Sequence, residues 1–355
     1  MKSLPPVAEM QRAYLASDAS YDGVFYLGVR TTGIFCRPSC RARKPLTRNV
    51  EFFASVKEAT FAGYRACKRC HPLDAPGKPP AWAQKLLDRV EHAPQQRIRE
   101  SDLRSMGIDP ARARRYFQQH YGMSFHAYAR GRRMGEALEQ IRNGTRLDDV
   151  ALGHGYDSHS GFREAFERSF GIAPGQSRDG DCIYIAWIES PLGPIVAGAN
   201  REGVCLLEFT DRRMLETQFK TLRKHFRSAL TPGENAHLKK LKKELADYFA
   251  GKLKDFSVPL VYPGTAFQKK VWDTLQTIPY GETWSYDALA KQVGSPAACR
   301  AVGTTNGLNR ISIVVPCHRV VNKDGKLGGY GGGLWRKQAL LDLERGVRGL
   351  GLAAA

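Results

Sequence analysis

No apolar run in the sequence approaches the ~18 residues of a membrane-spanning helix, which excludes a helical membrane protein. Residues 1–30 lack the charged, apolar and small-residue order of a secretory leader, so a cytoplasmic location is expected. Repeats of solenoid length are missing, and the only low-complexity tract is the small tail "GLAAA". Acidic side chains are scarce: 35 stand against 54 Lys and Arg, a net charge of +19. The deficit is not confined to one tail, because residues 1–180 hold 29 basic and 19 acidic side chains and residues 181–355 hold 25 and 16. A polyanion partner follows, with nucleic acid ahead of an anionic membrane surface. Cysteine is sparse as well. Eight in 355 residues without a leader do not make a secreted disulfide scaffold, and in a reducing compartment they point to metal or chemistry.

At this length two to four domains are expected, and four segments separate. Residues 1–75 carry a cysteine cluster and end in "HPLDAPGKPPA", which reads as a linker. Residues 82–178 have helical periodicity broken at Gly, Pro and Asn. Residues 181–260 open with the strand-like runs "IYIAWIESPLGPIVAGA" and "GVCLLEF", then turn helical in "NAHLKKLKKELADYFAG". Residues 264–348 mix helices with one apolar run, "ISIVVP", expected to be a buried strand. The fold class is therefore multidomain, α/β and α.

Cys36, Cys40, Cys67 and Cys70 form C-x3-C, a gap of 26 residues, then C-x2-C, and two close thiolate pairs suit one tetrahedral Zn2+. His71 is the only rival ligand. Nine Lys and Arg, among them Arg37, Arg41, Arg43 and Lys44, lie between Cys36 and Cys70 against Glu51 and Glu58. Four thiolates around a divalent cation carry a formal −2, and the basic surround lets such a centre face a phosphate backbone. Spacing alone favours a structural zinc module.

Two helix-turn-helix units are predicted in the central segment. In "SDLRSMGIDPARARRYFQQHYG", Ser101 and Asp102 start a helix, Gly107 turns, and a second helix from Pro110 displays Arg112, Arg114 and Arg115. In "RLDDVALGHGYDSHSGFREAFERSFGIAPGQ", Gly153 and Gly155 break the chain, and Asp157 or Ser158 caps a helix carrying His159, Ser160 and Arg163. The start of such a helix reaches base edges while flanking cations hold phosphate. The pair resembles the double helix-turn-helix of AraC-type regulators, which implies transcriptional control through DNA.

"PCHRVV" places Cys317 beside His318. An ordinary thiol with pKa ~8.5 is mostly protonated at neutral pH, and a neighbouring imidazole can take that proton. Upstream, a helix near 284–292, a turn at Gly294-Ser295 and a helix from about Pro296 are expected. That last helix is thin along Ala297, Ala298, Ala301 and Gly303, with Arg300 projecting. Cys182, Cys205 and Cys299 have no His or Cys partner nearby in sequence and read as structural.

Residues 181–348 resemble the O6-alkylguanine-DNA alkyltransferases, whose Pro-Cys-His-Arg-Val signature stands at residues 316–320. The resemblance implies a ribonuclease-H-like α/β subdomain and a helical, winged-helix-like active-site domain. Its roles fall residue by residue: Cys317 as methyl acceptor, His318 as its base, Glu344 as charge relay. Arg300 is the arginine finger, Asn309 the structural Asn before the active site, and Tyr286 stands on the recognition face. Tyr330 lies in "GGYGGGLWRK", the glycine-rich loop over the extruded base.

With all three regions in this order, the chain resembles the Ada family of methyl-responsive activator and DNA repair proteins. That resemblance implies a second methyl acceptor, Cys36, taking its group from a phosphotriester and switching the protein into an activator. It also implies O4-methylthymine as a further substrate, double-stranded DNA and RNA polymerase as partners, no membrane and a monomer. Two rival classes remain at this point: a zinc-dependent DNA-binding regulator without methyl transfer, and a thiol redox regulator.

Overall fold

The computed structural model describes residues 4–73, 79–170, 173–176, 182–212, 214–226, 228 and 230–346. The centre of the expected linker, the segment edges at 75, 177–181 and 347–348, and the tail fall outside them. Among the described residues no helix is long and apolar enough to cross a membrane. The chain packs as two compact units, one of Met1–Pro80, Pro191–Gly193 and Leu327–Ala355, the other of Ala81–Ser190 and Pro194–Lys326.

In the first unit, helix α1 (Val7–Leu15) buries Met10, Ala13 and Tyr14. Strands β1 (Tyr26–Val29), β2 (Ile34–Cys36), β3 (Val50–Phe53) and β4 (Arg65–Ala66) form a sheet in the order β3-β1-β2-β4, with α2 (Val56–Phe61) between its last two strands in sequence. Ser55 caps α2 by accepting from Glu58 N at 3.1 Å. A small aromatic core of Tyr14, Phe25 and Phe52 carries this module, with Phe25 and Phe52 rings edge-on at 5.5 Å.

The second unit begins with α3 (Ala81–His92), α4 (Glu100–Ser105), α5 (Pro110–Tyr121), α6 (Phe125–Arg142), α7 (Leu147–Gly153) and α8 (His159–Phe170). The turn between α4 and α5 falls on Gly107, whose φ of +72° only glycine adopts readily. Asp109 caps α5 by accepting from Ala111 N at 3.0 Å. Ser158, rather than Asp157, caps α8, accepting from Gly161 N at 3.2 Å. A sheet follows from β5 (Ile183–Ile188), β6 (Ile195–Ala199) and β7 (Val204–Phe209). Helix α9 (Leu215–Phe226), strand β8 (Leu230–Pro232) and helix α10 (Ala236–Phe249) complete it, in the order β7-β6-β5-β8. The sequence reading marked neither α9 nor β8. The remaining elements are α11 (Ala266–Gln276), β9 (Trp284–Ser285), α12 (Tyr286–Gln292), α13 (Cys299–Gly307) and β10 (Val320–Val321), which pairs parallel with β9. Helix α14 (Leu334–Glu344) belongs to the first unit.

The helices of residues 81–170 do not form a separate core. Phe117, Tyr121, Phe125 and Tyr128 share one buried cluster with Ile183, Ile185, Val196 and Leu206 of the sheet and Phe219 and Leu222 of α9. The Tyr121 and Trp187 ring centroids lie 4.2 Å apart. Helix α6 reaches β8 through Gly135, where an added Cβ would sit 2.4 Å from Thr231 Cγ2. Gly135→Leu is therefore expected to destabilise the protein by about 1–3 kcal/mol of overpacking, more than the ~1 kcal/mol of helix propensity it gains. The check is the urea midpoint by circular dichroism; a midpoint at or above the parent's would contradict this close packing.

One sequence expectation is overturned. "ISIVVP" is buried but is not a strand. Ile311 makes a single bridge to Leu207, after which Val314 N bonds Ser312 O and Val315 N bonds Ile311 O. Ile313 takes a left-handed φ of +74°. The cause is local: the Asn309 carboxamide accepts from Ile311 N at 2.9 Å and donates to Val315 O at 2.8 Å, replacing ladder bonds with a tight turn.

Candidate functional site

Parallel pairing of β2 with β4 sets the cysteine cluster. Cys36 ends β2, Cys67 follows β4, and Cys67 N donates to Phe35 O at 3.0 Å. The C-x3-C loop is pinned by Asp22, which accepts from Ser39 N at 3.1 Å and Ser39 Oγ at 2.5 Å. The sulfurs of Cys36, Cys40, Cys67 and Cys70 all lie within 4.8 Å of one another. Tetrahedral Zn–S bonds of ~2.3 Å need sulfurs ~3.8 Å apart, so the quartet fits one zinc ion. The crowding itself calls for a cation. Hydrogen bonding from Cys36 and Cys70 holds the Cys40 thiol far below its ordinary range, while hydrogen bonding to the same Cys40 pushes Cys36 up. The backbone also reaches the sulfurs: Arg37 N donates to Cys70 Sγ and Arg69 N to Cys67 Sγ, both at 3.4 Å. His71 lies exposed and is not among the clustered groups.

Of the basic residues around this centre, Arg41 and Arg43 are exposed. Arg37 and Lys44 are half-buried and brace the module, Arg37 donating to His71 O at 2.9 Å and Lys44 to Cys40 O at 2.8 Å.

The two helix-turn-helix faces differ. On α5, Arg114 and Arg115 are exposed, while the Arg112 guanidinium lies 4.7 Å over the Trp82 ring. On α8 the selected side chains meet surface neighbours. His159 Nε2 is 3.0 Å from Asp148 Oδ1, Ser160 Oγ is 3.2 Å from Ser158 Oγ, and Arg163 Nε donates to Glu167 Oε1 at 2.8 Å. Such exposed pairs contribute little to stability and open readily for phosphate.

Cys317 and His318 lie in a short 3-10 turn, Cys317–Arg319, and are 5% and 0% exposed. Asn309 Nδ2 donates to Cys317 Sγ at 3.1 Å, a contact that favours the anionic sulfur. Arg319 is structural: buried, it donates to Ile278 O at 2.6 Å. Tyr286 opens α12 and is half-buried. Its phenol is pushed up by burial, then by negative charge at Cys317, against a lowering hydrogen bond from Asn306. Asn306, which the sequence reading missed, is also buried and donates to Cys317 O at 3.5 Å. Only its position on the buried side of the helix before the Cys-His turn, three residues ahead of Asn309, could have flagged it. Arg300 stands exposed on α13 with Ala297, Ala301 and Thr304 exposed around it. Gly303 of that helix faces the Tyr286 ring of α12, where an added Cβ would lie 3.7 Å away, an ordinary packing contact.

In the first unit, Glu344 is buried near the end of α14 and Tyr330 is half-buried in the glycine-rich loop. Two buried cations hold that loop: Arg336 donates to Gly332 O at 3.0 Å and Lys337 to Gly328 O at 3.3 Å.

Four family models match. They are the metal binding domain of Ada over residues 9–73, a helix-turn-helix domain over 103–180, and the ribonuclease-like and DNA binding domains of 6-O-methylguanine DNA methyltransferase over 183–262 and 266–346. The bifunctional transcriptional activator/DNA repair enzyme Ada of Escherichia coli is 33% identical over 97% of this chain and 98% of its own. A methylated-DNA–protein-cysteine methyltransferase of Mycobacterium bovis is 48% identical over 46% of this chain and 93% of its own. Among solved structures, Mycobacterium tuberculosis OGT in complex with DNA is 43% identical, covering 46% of this chain and 94% of its own with a TM-score of 0.40.

Proposed function

Because this chain belongs to the family of the bifunctional transcriptional activator/DNA repair enzyme Ada, we propose that it moves methyl groups from damaged DNA onto two of its own cysteines and uses one of the transfers as a signal. The activity is that of a methylated-DNA–protein-cysteine methyltransferase, and each acceptor works once. The observation that carries the reading is the buried Cys317 sulfur, held 3.1 Å from the Asn309 amide and followed in the chain by His318.

At this site the modified guanine must leave the stack, since its methyl group is hidden in the duplex. Arg300 fills the gap from the minor-groove side, and the Tyr330 loop covers the extruded base. His318 takes the Cys317 proton, and likeness to the alkyltransferases gives Glu344 the role of charge relay. The thiolate then attacks the methyl carbon: an S–C bond forms, the O6–C bond breaks, and the electron pair stays on the guanine. Tyr286 stabilises that leaving group, and the proton that His318 removed from Cys317 balances the one with which it becomes ordinary guanine. The product is a thioether. The same chemistry serves O4-methylthymine.

At the other site Cys36, Cys40, Cys67 and Cys70 hold one zinc ion, which when bound keeps their sulfurs deprotonated. Cys36 Sγ takes a methyl carbon from a neutral phosphotriester, leaving an anionic diester. Arg37, Arg41, Arg43 and Lys44 meet the backbone there. Arg112, Arg114, Arg115, His159, Ser160 and Arg163 of the AraC-type segment engage the promoter. Segments 1–75, 82–178, 181–260 and 264–348 divide this work, the third with a ribonuclease-H-like and the fourth with a winged-helix-like fold. The protein acts in the cytoplasm as a monomer and recruits RNA polymerase.

The test is to incubate the protein with methyl-labelled duplex carrying both lesions and map the label by mass spectrometry. One methyl group is expected on the Cys317 peptide and one on the Cys36 peptide. An unlabelled protein that still binds DNA would replace this reading with a purely binding regulator.

A further inference from the structure

The sulfur of Cys317 is only as well placed as Asn309, and Asn309 is held from outside its own domain. Glu208 on β7 has no exposed surface, and its carboxylate forms an ion pair with Arg212, whose side chain is 6% exposed. The same carboxylate accepts from Ser312 Oγ at 3.2 Å and from Phe209 N at 3.1 Å. The guanidinium in turn donates to Asn309 O at 3.0 Å and to Gly307 O at 2.7 Å. Backbone bonds add to the grip: Leu207 N to Arg310 O and Ser312 N to Leu207 O, both 2.8 Å. The segment from Gly307 to Ser312 is thus gripped on both sides of Asn309.

Burying two charges is costly, and a buried ion pair is weak grounds for stability by itself. Here the polar groups of the pair are directed at one target. The bonds from Arg212, from Ser312 and from the Leu207 backbone fix the segment that carries the Asn309 carboxamide, whose Nδ2 reaches both Val315 O and Cys317 Sγ. A shift of that backbone moves the Asn309 donor away from the sulfur it reaches at 3.1 Å.

We infer that Glu208 and Arg212 are positioning residues for methyl transfer at Cys317, by which the ribonuclease-like segment, otherwise remote from the chemistry, holds the sulfur in its reactive geometry. The inference rests on Cys317 being the methyl acceptor.

The experiment compares the full-length parent with Glu208→Gln/Arg212→Met, which removes both charges together, and with Arg212→Lys, which keeps the pair but not the fork onto two carbonyls. Methyl uptake at Cys317 is followed against the concentration of O6-methylguanine duplex, with uptake at Cys36 as a control for the intact protein. The double variant is expected to lose tenfold or more of the saturating transfer rate, on the scale of roughly 10²-fold for a misplacement of ~1 Å. Its half-saturating duplex concentration should be unchanged, and Arg212→Lys should lie between. Transfer at the parent rate in either variant overturns the inference, as does a loss confined to half-saturation. Should the double variant fail to fold, Arg212→Lys decides alone. Absence of uptake by the parent would instead defeat the assignment of Cys317.

Discussion

Cys317→Ser protein is expected to lose O6-methylguanine methyl uptake by roughly 10³-fold or more, the scale on which a removed nucleophile acts. A hydroxyl stays protonated where a thiol near pKa ~8.5 needs only modest help to ionise. The Asn309 amide at 3.1 Å gives that help to sulfur, but its single N–H cannot make an alkoxide at neutral pH. Serine is also smaller at the reacting atom, so the methyl carbon lies farther from it in a rigid, buried turn. Cys36 belongs to a different packed unit and should keep its own uptake. Labelled duplex carrying both lesions should therefore place two methyl groups on the parent and one on the variant. Label persisting on the peptide around residue 317 would show that another atom there is the acceptor.

Much of this was legible from single residues. The four cysteines announce a thiolate cage by spacing, and the cage closes because the strands ahead of Cys36 and Cys67 pair in parallel. Gly107 and Pro110 mark the turn and the start of α5 by chemistry that acts within three or four residues. What escaped acts over longer range. Arg212 meets Gly307 and Asn309 across more than ninety residues, and nothing local in "LLEFTDRR" announces that its carboxylate and guanidinium are buried. "ISIVVP" reads as a strand by composition because β-branched residues suit a pleated surface. A single carboxamide, Asn309, takes the backbone groups that a ladder would need. Likewise nothing local to Arg112 announces that Trp82, thirty residues away, lies beneath its guanidinium.

Methylation of Cys36 is expected to tighten DNA binding by tens-fold at low salt, through charge alone. Four thiolates around a divalent cation total −2, and converting one to a thioether leaves −1. Unit charges ~8 Å apart at an effective dielectric of ~20 repel by ~2 kcal/mol, equivalent to about thirtyfold in affinity. The cations able to exploit the change already surround the centre, with Arg41 and Arg43 exposed and Arg37 and Lys44 fixed in place by carbonyl contacts. They need not move for the centre's repulsion of phosphate to weaken in their favour. Screening over ~10 Å at 0.1 M salt shrinks the difference, so the two forms should converge as salt rises. Convergence means that the affinity of the methylated form falls more steeply with salt than that of the unmethylated form. The measurement is a salt titration of duplex binding by methylated and unmethylated protein side by side. Equal affinities at low salt would exclude the electrostatic switch. A difference that persists undiminished at high salt would point instead to a rearranged contact surface around Cys36.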